Sequence, residues 1–220
     1  MNRFSQTLDT LNEAVFYGTP TAGTVRTSAA ATIAARQLRS GPHAGLLAPD
    51  EADYAAGIRL FTGERLHTRL GPRNVLSCEA GRLILLLGLP VPGLEAVLDR
   101  LQRRLTDECF AAQYCLVGEC AHSGLGFMRY LAAGGAADAE RRLNTHIKII
   151  NTHRNSKGTW LRLPPSYTLL TLNEIDLPAA RAELRYAAPA LERSLKRPAA
   201  SEAPYDRRRR DLAERILAKC

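Results

Sequence analysis

Three cysteines and a histidine crowd into one short stretch, Cys109, Cys115, Cys120 and His122, with the spacing C-x5-C-x4-C-x-H. Three thiolates and an imidazole could close a tetrahedral zinc site, with bonds of about 2.3 Å to sulfur and about 2.0–2.1 Å to nitrogen. The gaps are longer than the two to four residues of a zinc knuckle. Gly118 interrupts any helix between Cys115 and Cys120, which would let the thiols converge. Two other chemistries compete for the same residues. A free cysteine packs as a small hydrophobe, and a reactive thiolate would need a base, for which His122 is the nearby candidate, with Glu119 to orient it. The expectation is buried thiols and no cofactor, with zinc as the alternative.

A second group lies downstream. His146, Ile150 and His153 share one helical face, because seven residues are close to two turns. With Arg154 and Lys157 they could line a polar cleft for an anion; a half-exposed helix rim is the plainer reading. Trp160 and Tyr167, like Tyr130 and Tyr186, fall near turns or hairpin faces. The candidate ligand groove is therefore His146, His153, Arg154, Trp160 and Tyr167, against the alternative that the aromatics are core. A third group is Arg207-Arg208-Arg209-Arg210. Four adjacent guanidinium groups cannot all pair inside a core, so the run is expected to be largely solvated or bound to anions such as nucleic acid. Asp206, Asp211 and Glu214 partly neutralise it and favour the solvated reading. Other motifs lead nowhere: Gly41-Pro42-His43-Ala44-Gly45 and His67 form no constellation, and Ser123-Gly124-Leu125-Gly126 lacks the strand that a nucleophile elbow needs.

The elements that must position these groups read as helices. Apolar residues recur at three- and four-residue steps through Val75–Leu87, Leu94–Leu105, Leu125–Leu131, Leu143–Ile150 and Leu169–Ile175, while strand-like alternation is nearly absent. Val25, Ala29, Ile33 and Leu38 fit one further helical face. Asp50 is placed to cap a helix that Gly63 would stop, after Ile58 and Phe61. Asp176 is placed to cap the helix entered through Pro178, and Pro189 should kink or split that helix.

Of 220 residues, 45% are hydrophobic and 24% charged, which excludes a wholly disordered or fibrous chain. The net charge is +8, but Arg193 to Cys220 holds nine Lys/Arg against four Asp/Glu, so the tail carries most of the excess and the remainder is near neutral. This argues against a nucleic-acid surface spread over the whole body. The start has no apolar signal core, and the longest apolar run, Leu83 to Leu89, is far short of the ~20 residues that span a bilayer. With five cysteines, an odd number, a cytoplasmic chain with reduced thiols and no transmembrane segment is expected.

An internal repeat adds architecture. Ile84 to Leu98 aligns with Leu170 to Leu184, pairing Ile84 with Leu170, Leu86 with Leu172, Leu89 with Ile175 and Pro92 with Pro178. Leu131 and Leu143 fit a third copy between them. Such spacing suits stacked helical hairpins, since one hairpin cannot bury its apolar stripe alone. The segment His153-Arg154-Asn155-Ser156-Lys157-Gly158-Thr159-Trp160, followed by Tyr167-Thr168-Leu169-Leu170-Thr171-Leu172, resembles the helical-hairpin repeat of prenyltransferases and squalene/terpene cyclases. That repeat sets a Gly-x-Trp turn before a Thr-led helix. The whole chain is also similar to small bacterial proteins of this kind.

The resemblance implies an α/α toroid or part of one, and the chain length suits an open arc better than six closed hairpin pairs. It does not carry catalysis over. The nearest acidic cluster, Asp50-Glu51-Ala52-Asp53, is better explained as a helix first turn, where carboxylates meet the positive end of the dipole. No Asp/Cys/His zinc set of the protein prenyltransferases is evident.

The expected fold is therefore all-α, of repeated helical hairpins in a toroid-like arc or a HEAT-like α-solenoid. Residues 1–197 form the repeat domain, 198–204 a linker and 205–220 a basic C-terminal helix. The expected function is non-catalytic docking of a protein, a peptide or a small hydrophobic ligand between hairpins. A reduced prenyltransferase or cyclase and a nucleic-acid-associated protein are the alternatives.

Overall fold

A computed structural model of the chain describes residues 3–90, 93–197 and 203–220. Among these the structure is mostly helical. The order is α1 (Phe4–Tyr17), α2 (Gly23–Ala34), α3 (Glu51–Ala56), β1 (Ile58–Arg59), β2 (Arg65–Leu66), α4 (Leu70–Leu87), α5 (Leu94–Asp107), α6 (Cys109–Ala112), α7 (Cys120–Ala132), α8 (Ala139–Thr152), α9 (Pro165–Asn173), α10 (Pro178–Leu195) and α11 (Pro204–Leu217). No helix among the described residues is long and apolar enough to cross a membrane.

The centre is α4 packed on α7. Residues 74–84 of α4 and 123–131 of α7 are buried without a break, and a helix covered on every side belongs at the middle of a domain. Small residues bring the two together. A Cβ on Gly81 would stand 2.8 Å from Leu101 Cδ2 and 2.9 Å from Tyr130 Cε2, so any larger residue there would push α5 and α7 away from α4. Around this pair, α1, α5 and α6 lie on one or the other central helix, α8 and α9 pack on α7, and α10 pairs with α8 and α9. The last helix, α11, packs on α9 and α10 and returns to the first: the Tyr17 hydroxyl donates to Asp211 Oδ2 at 2.6 Å.

Several local expectations hold. Asp50 caps α3, accepting from the Asp53 amide while Asp53 accepts from the Asp50 amide, a complete capping box. Gly88 ends α4 in the left-handed conformation. Others need correction. Leu38 is not helical but starts the arm of a loop whose Gln37 bridges Leu47. Gly57 follows α3, and Gly63 instead turns a short antiparallel hairpin that pairs Ile58 with Leu66 and Arg59 with Arg65. Two-residue strands are too short to show alternation in sequence. Asp176 does not cap α10; it pairs with Arg181, and the cap position is Leu177. Pro189 sits inside a continuous α10 and does not split it.

The aligned repeat copies face differently. Leu86 is 48% exposed, whereas its counterpart Leu172 is fully buried. Val91 and Pro92, half of the shared proline turn, lie outside the described residues, as does most of the expected linker, 198–202.

Candidate functional site

The three cysteines converge. Their sulfur atoms all lie within 4.8 Å of one another, with Cys109 Sγ 3.7 Å from Cys120 Sγ. Cys109 is exposed, while Cys115 and Cys120 are half-buried. The intervening loop achieves this with two residues in the left-handed region, Tyr114 at φ 54° and Gly118 at φ 54°. A tyrosine there is disfavoured, and its ring is held edge-on against His146 at 4.3 Å. The Cys115 amide then donates to the Cys109 carbonyl at 3.3 Å. Burial, with Cys109 and Cys115 alongside, pushes the Cys120 thiol up to about 12.

His122 does not join them. Two residues along an α-helix rotate a side chain by about 200°, and the charged groups acting on His122 are Glu64, Glu119 and His67. Glu119, expected to orient His122, instead ties down the segment between β2 and α4: it accepts from the His67 and Thr68 amides and from the Thr68 hydroxyl.

The residues of the expected ligand groove separate. His146 is buried against Tyr114 and Phe127, and burial pushes its imidazole down to about 3. Arg154 donates two hydrogen bonds to Glu183, each 3.0 Å, and lies 4.3 Å over the Tyr186 ring. Trp160 is buried, and its indole Nε1 donates to Glu183 Oε2 at 2.9 Å. His153 ends α8. Arg154 and Trp160 thus share a carboxylate at the α8–α10 junction, which is packing chemistry. Tyr167 lies elsewhere, fully buried, with its hydroxyl donating to Glu79.

Tyr167 belongs to a group that sequence reasoning missed. Arg82 and Arg129, both almost fully buried, share Glu174: Arg82 Nη2 donates to Glu174 Oε1 at 2.6 Å and Arg129 Nε to Glu174 Oε2 at 2.8 Å. Arg129 also donates to Glu79, and Arg82 Nη1 to Asn12 Oδ1 at 2.9 Å. Burial alone would lower Arg129, but Glu174 and Glu79 outweigh it and hold its guanidinium well above the ordinary arginine range. The only sequence signal is charge inside apolar runs, Glu79 and Arg82 on α4 and Arg129 on α7.

The basic tail is not uniformly solvated. Arg208 is 3% exposed; it donates to Asp9 at 2.8 and 3.0 Å, to Glu13 at 3.0 Å and to the Phe61 carbonyl at 3.2 Å. Arg209 donates to the Thr62 carbonyl and pairs with Asp206, Arg210 donates to the Leu195 carbonyl, and exposed Arg207 stands 3.6 Å from Glu13. The expectation of four arginines facing water fails at Arg208 because α1 supplies two carboxylates that the local sequence does not contain.

A cleft of about 660 Å³ lies between the 37–47 loop and α5. Leu38, Ala44, Ala96 and Val97 give it an apolar lining, and Arg39, Arg100, Arg103 and Arg104 give it an excess of positive charge over its one carboxylate, Asp107. Arg103 pairs with Asp99 and Arg104 with Glu108. Arg100 only shares a 3.3 Å hydrogen bond with Gln37, and no carboxylate among the described residues pairs with Arg100 or Arg39. Gly45 closes the cleft, 3.1 Å being all the space that a Cβ would have from the Arg100 carbonyl. Burial and the field of Arg73 and Arg104 lower nearby His43. No family model, curated protein or solved structure matches this chain.

Proposed function

We propose that this chain is a helical binding protein without catalytic machinery of its own, and that it holds a small phosphorylated molecule in the cleft between the 37–47 loop and α5. The observation that carries this reading is the pair Arg39 and Arg100, guanidinium groups that form no ion pair among the described residues, on the wall of a ligand-sized cleft whose four arginines outnumber its one carboxylate, Asp107. Guanidinium presents a planar fork of donors matched to phosphate oxygens. The start of α5 adds the positive end of a helix dipole on the same wall. The apolar lining leaves room for the uncharged part of the ligand. A hydrophobic ligand or a peptide in the expected His146–Tyr167 groove has less support, since those side chains pack on one another.

The prenyltransferase or cyclase reading has less support for a similar reason. Asp53 is fully buried, accepting from the Ser5 amide and hydroxyl, and Asp50 pairs with Arg36 at 2.5 Å. Nucleic-acid binding through Arg207–Arg210 would have to compete with the contacts of Arg208 and Arg209. For the scaffold, the pairing of α7 with α8 and of α9 with α10 supports a hairpin-built body, and the return of α11 to α1 favours a closed, toroid-like arrangement over an open HEAT-like one.

The test is calorimetric titration of the full chain with inorganic pyrophosphate and with a nucleoside monophosphate at low salt. Saturable one-to-one binding that weakens with salt and disappears in the Arg39→Ser/Arg100→Ser variant is expected. Absence of binding by the wild type, or binding that the variant keeps, overturns the reading.

A further inference from the structure

We propose that Cys109, Cys115 and Cys120 form a three-thiolate site for one thiophilic divalent cation, with zinc as the ion whose geometry fits. A tetrahedral ion with bonds of about 2.3 Å to sulfur sets its sulfur ligands about 3.8 Å apart. Cys109 Sγ and Cys120 Sγ are already 3.7 Å apart, and Cys115 Sγ completes the triangle within 4.8 Å. A disulfide needs about 2.05 Å and takes only two of three thiols; it leaves the third without a role.

The loop is built for convergence. Tyr114 adopts a left-handed backbone that few non-glycine residues tolerate, and the turn it makes brings Cys115 back to hydrogen-bond the Cys109 carbonyl. The His146 ring, buried and packed on Tyr114, holds that turn in place. Cys120 opens α7, a 13-residue helix, so the positive end of its dipole faces the site.

On binding, each thiol releases its proton to solvent as its sulfur donates a lone pair to the metal. A divalent ion with three thiolates carries a net charge of minus one, which the α7 N-terminus offsets. His122, the fourth ligand expected from sequence, acts elsewhere on α7, so the fourth coordination position is left to a solvent or small-molecule ligand. Exposed Cys109 puts that position near the surface.

The experiment is titration of the fully reduced chain with cobalt(II), read by sulfur-to-cobalt charge-transfer absorption, followed by zinc competition and native mass spectrometry. One cobalt per chain, displaced by one zinc with loss of the absorption, is expected. Cys115→Ser should weaken zinc binding at least tenfold, and the exposed Cys109→Ser, which leaves the fold's interior untouched, should do the same. Cys220→Ser, which changes an exposed cysteine outside the triad, should bind as the wild type does. A reduced wild type without the charge-transfer band, or a band that survives both Cys109→Ser and Cys115→Ser, overturns the proposal. Circular dichroism of each variant separates lost ligation from lost folding.

Discussion

Arginine does opposite work in two parts of this molecule. At the α4–α7 centre, Arg82 and Arg129 are buried and every charge finds an opposite: two guanidinium groups, Glu79, Glu174, and the Asn12 amide oxygen. In the cleft beside α5, Arg39 and Arg100 are exposed, and no described carboxylate meets them. The residue type is the same; what differs is whether the fold supplies the counter-charge. Where it does, the cluster is neutral and any anion would have to displace Glu174. Where it does not, the guanidinium groups stand without an ion pair among the described residues, as the proposed anion site requires. Counting arginines therefore does not separate the two sites, and counting the carboxylates that pair with them does.

The sharpest way to break this contrast is at the centre. Arg129→Met removes one buried guanidinium and leaves Glu79 and Glu174 short of a partner. Breaking a buried pair on one side costs about 3–5 kcal/mol, and a denaturant melt should show a loss of that size. A loss below about 1 kcal/mol would mean that water reaches the cluster and that it resembles the cleft after all. The Glu183 carboxylate at the α8–α10 junction offers a second case of supplied counter-charge. Trp160→Ala should cost about 3–5 kcal/mol, as large aromatic truncations do. Trp160→Phe keeps most of the packing and loses the indole donor to Glu183, so about 1 kcal/mol is expected.

Which of this could be read in the sequence follows from range. The helices around Val75, Val97, Leu125 and Leu143 announce themselves by three- and four-residue spacing, and the Asp50 cap by its position before Glu51. The cysteine triad is legible as a spacing, since its members are neighbours in the chain; His122 falls outside it because two residues along α7 turn its side chain away from that of Cys120. The ionic centre was not legible, because Arg82 and Glu174 are 92 residues apart and a sequence shows a charge without its partner. The cleft was hidden for the same reason: its walls, Gln37 and Arg100, are 63 residues apart. Arg208 looked solvated because Asp9 and Glu13, at the other end of the chain, are what bury it.

Protons sharpen the comparison further. His146 is buried with its imidazole pushed down to about 3, chiefly by burial and then by Arg142. Below about pH 6.5 the unfolded chain takes up a proton there that the folded chain refuses. Stability is then full above 6.5 and falls as the pH drops toward 3, with a slope of up to about 1.4 kcal/mol per pH unit. Glu174, half-buried and held below the usual carboxylate range by Arg129 and Arg82, adds its own loss only as the pH falls below about 4.5. Melts between pH 6.5 and 5 exclude the carboxylates, and His146→Phe should reduce their slope, the remainder coming from His122 and His43, which burial also lowers. An unchanged slope in that variant would put the proton uptake elsewhere.

The smallest expected effect on stability is the most telling for function. Arg39 and Arg100 are exposed and bear no ion pair that folding would lose, so Arg39→Ser/Arg100→Ser should shift stability by no more than about 0.5 kcal/mol. Removing two like charges from one wall would, if anything, relieve repulsion with Arg103 and Arg104. Yet the same variant should lose pyrophosphate binding, whereas Arg207→Ser, a tail arginine already near Glu13, should keep it. The two readouts must therefore move apart: stability flat, affinity gone. Should the cleft variant instead lose more than about 1 kcal/mol, its arginines have partners in the folded state, and the division between charges the fold answers and charges it leaves open would not hold at this site.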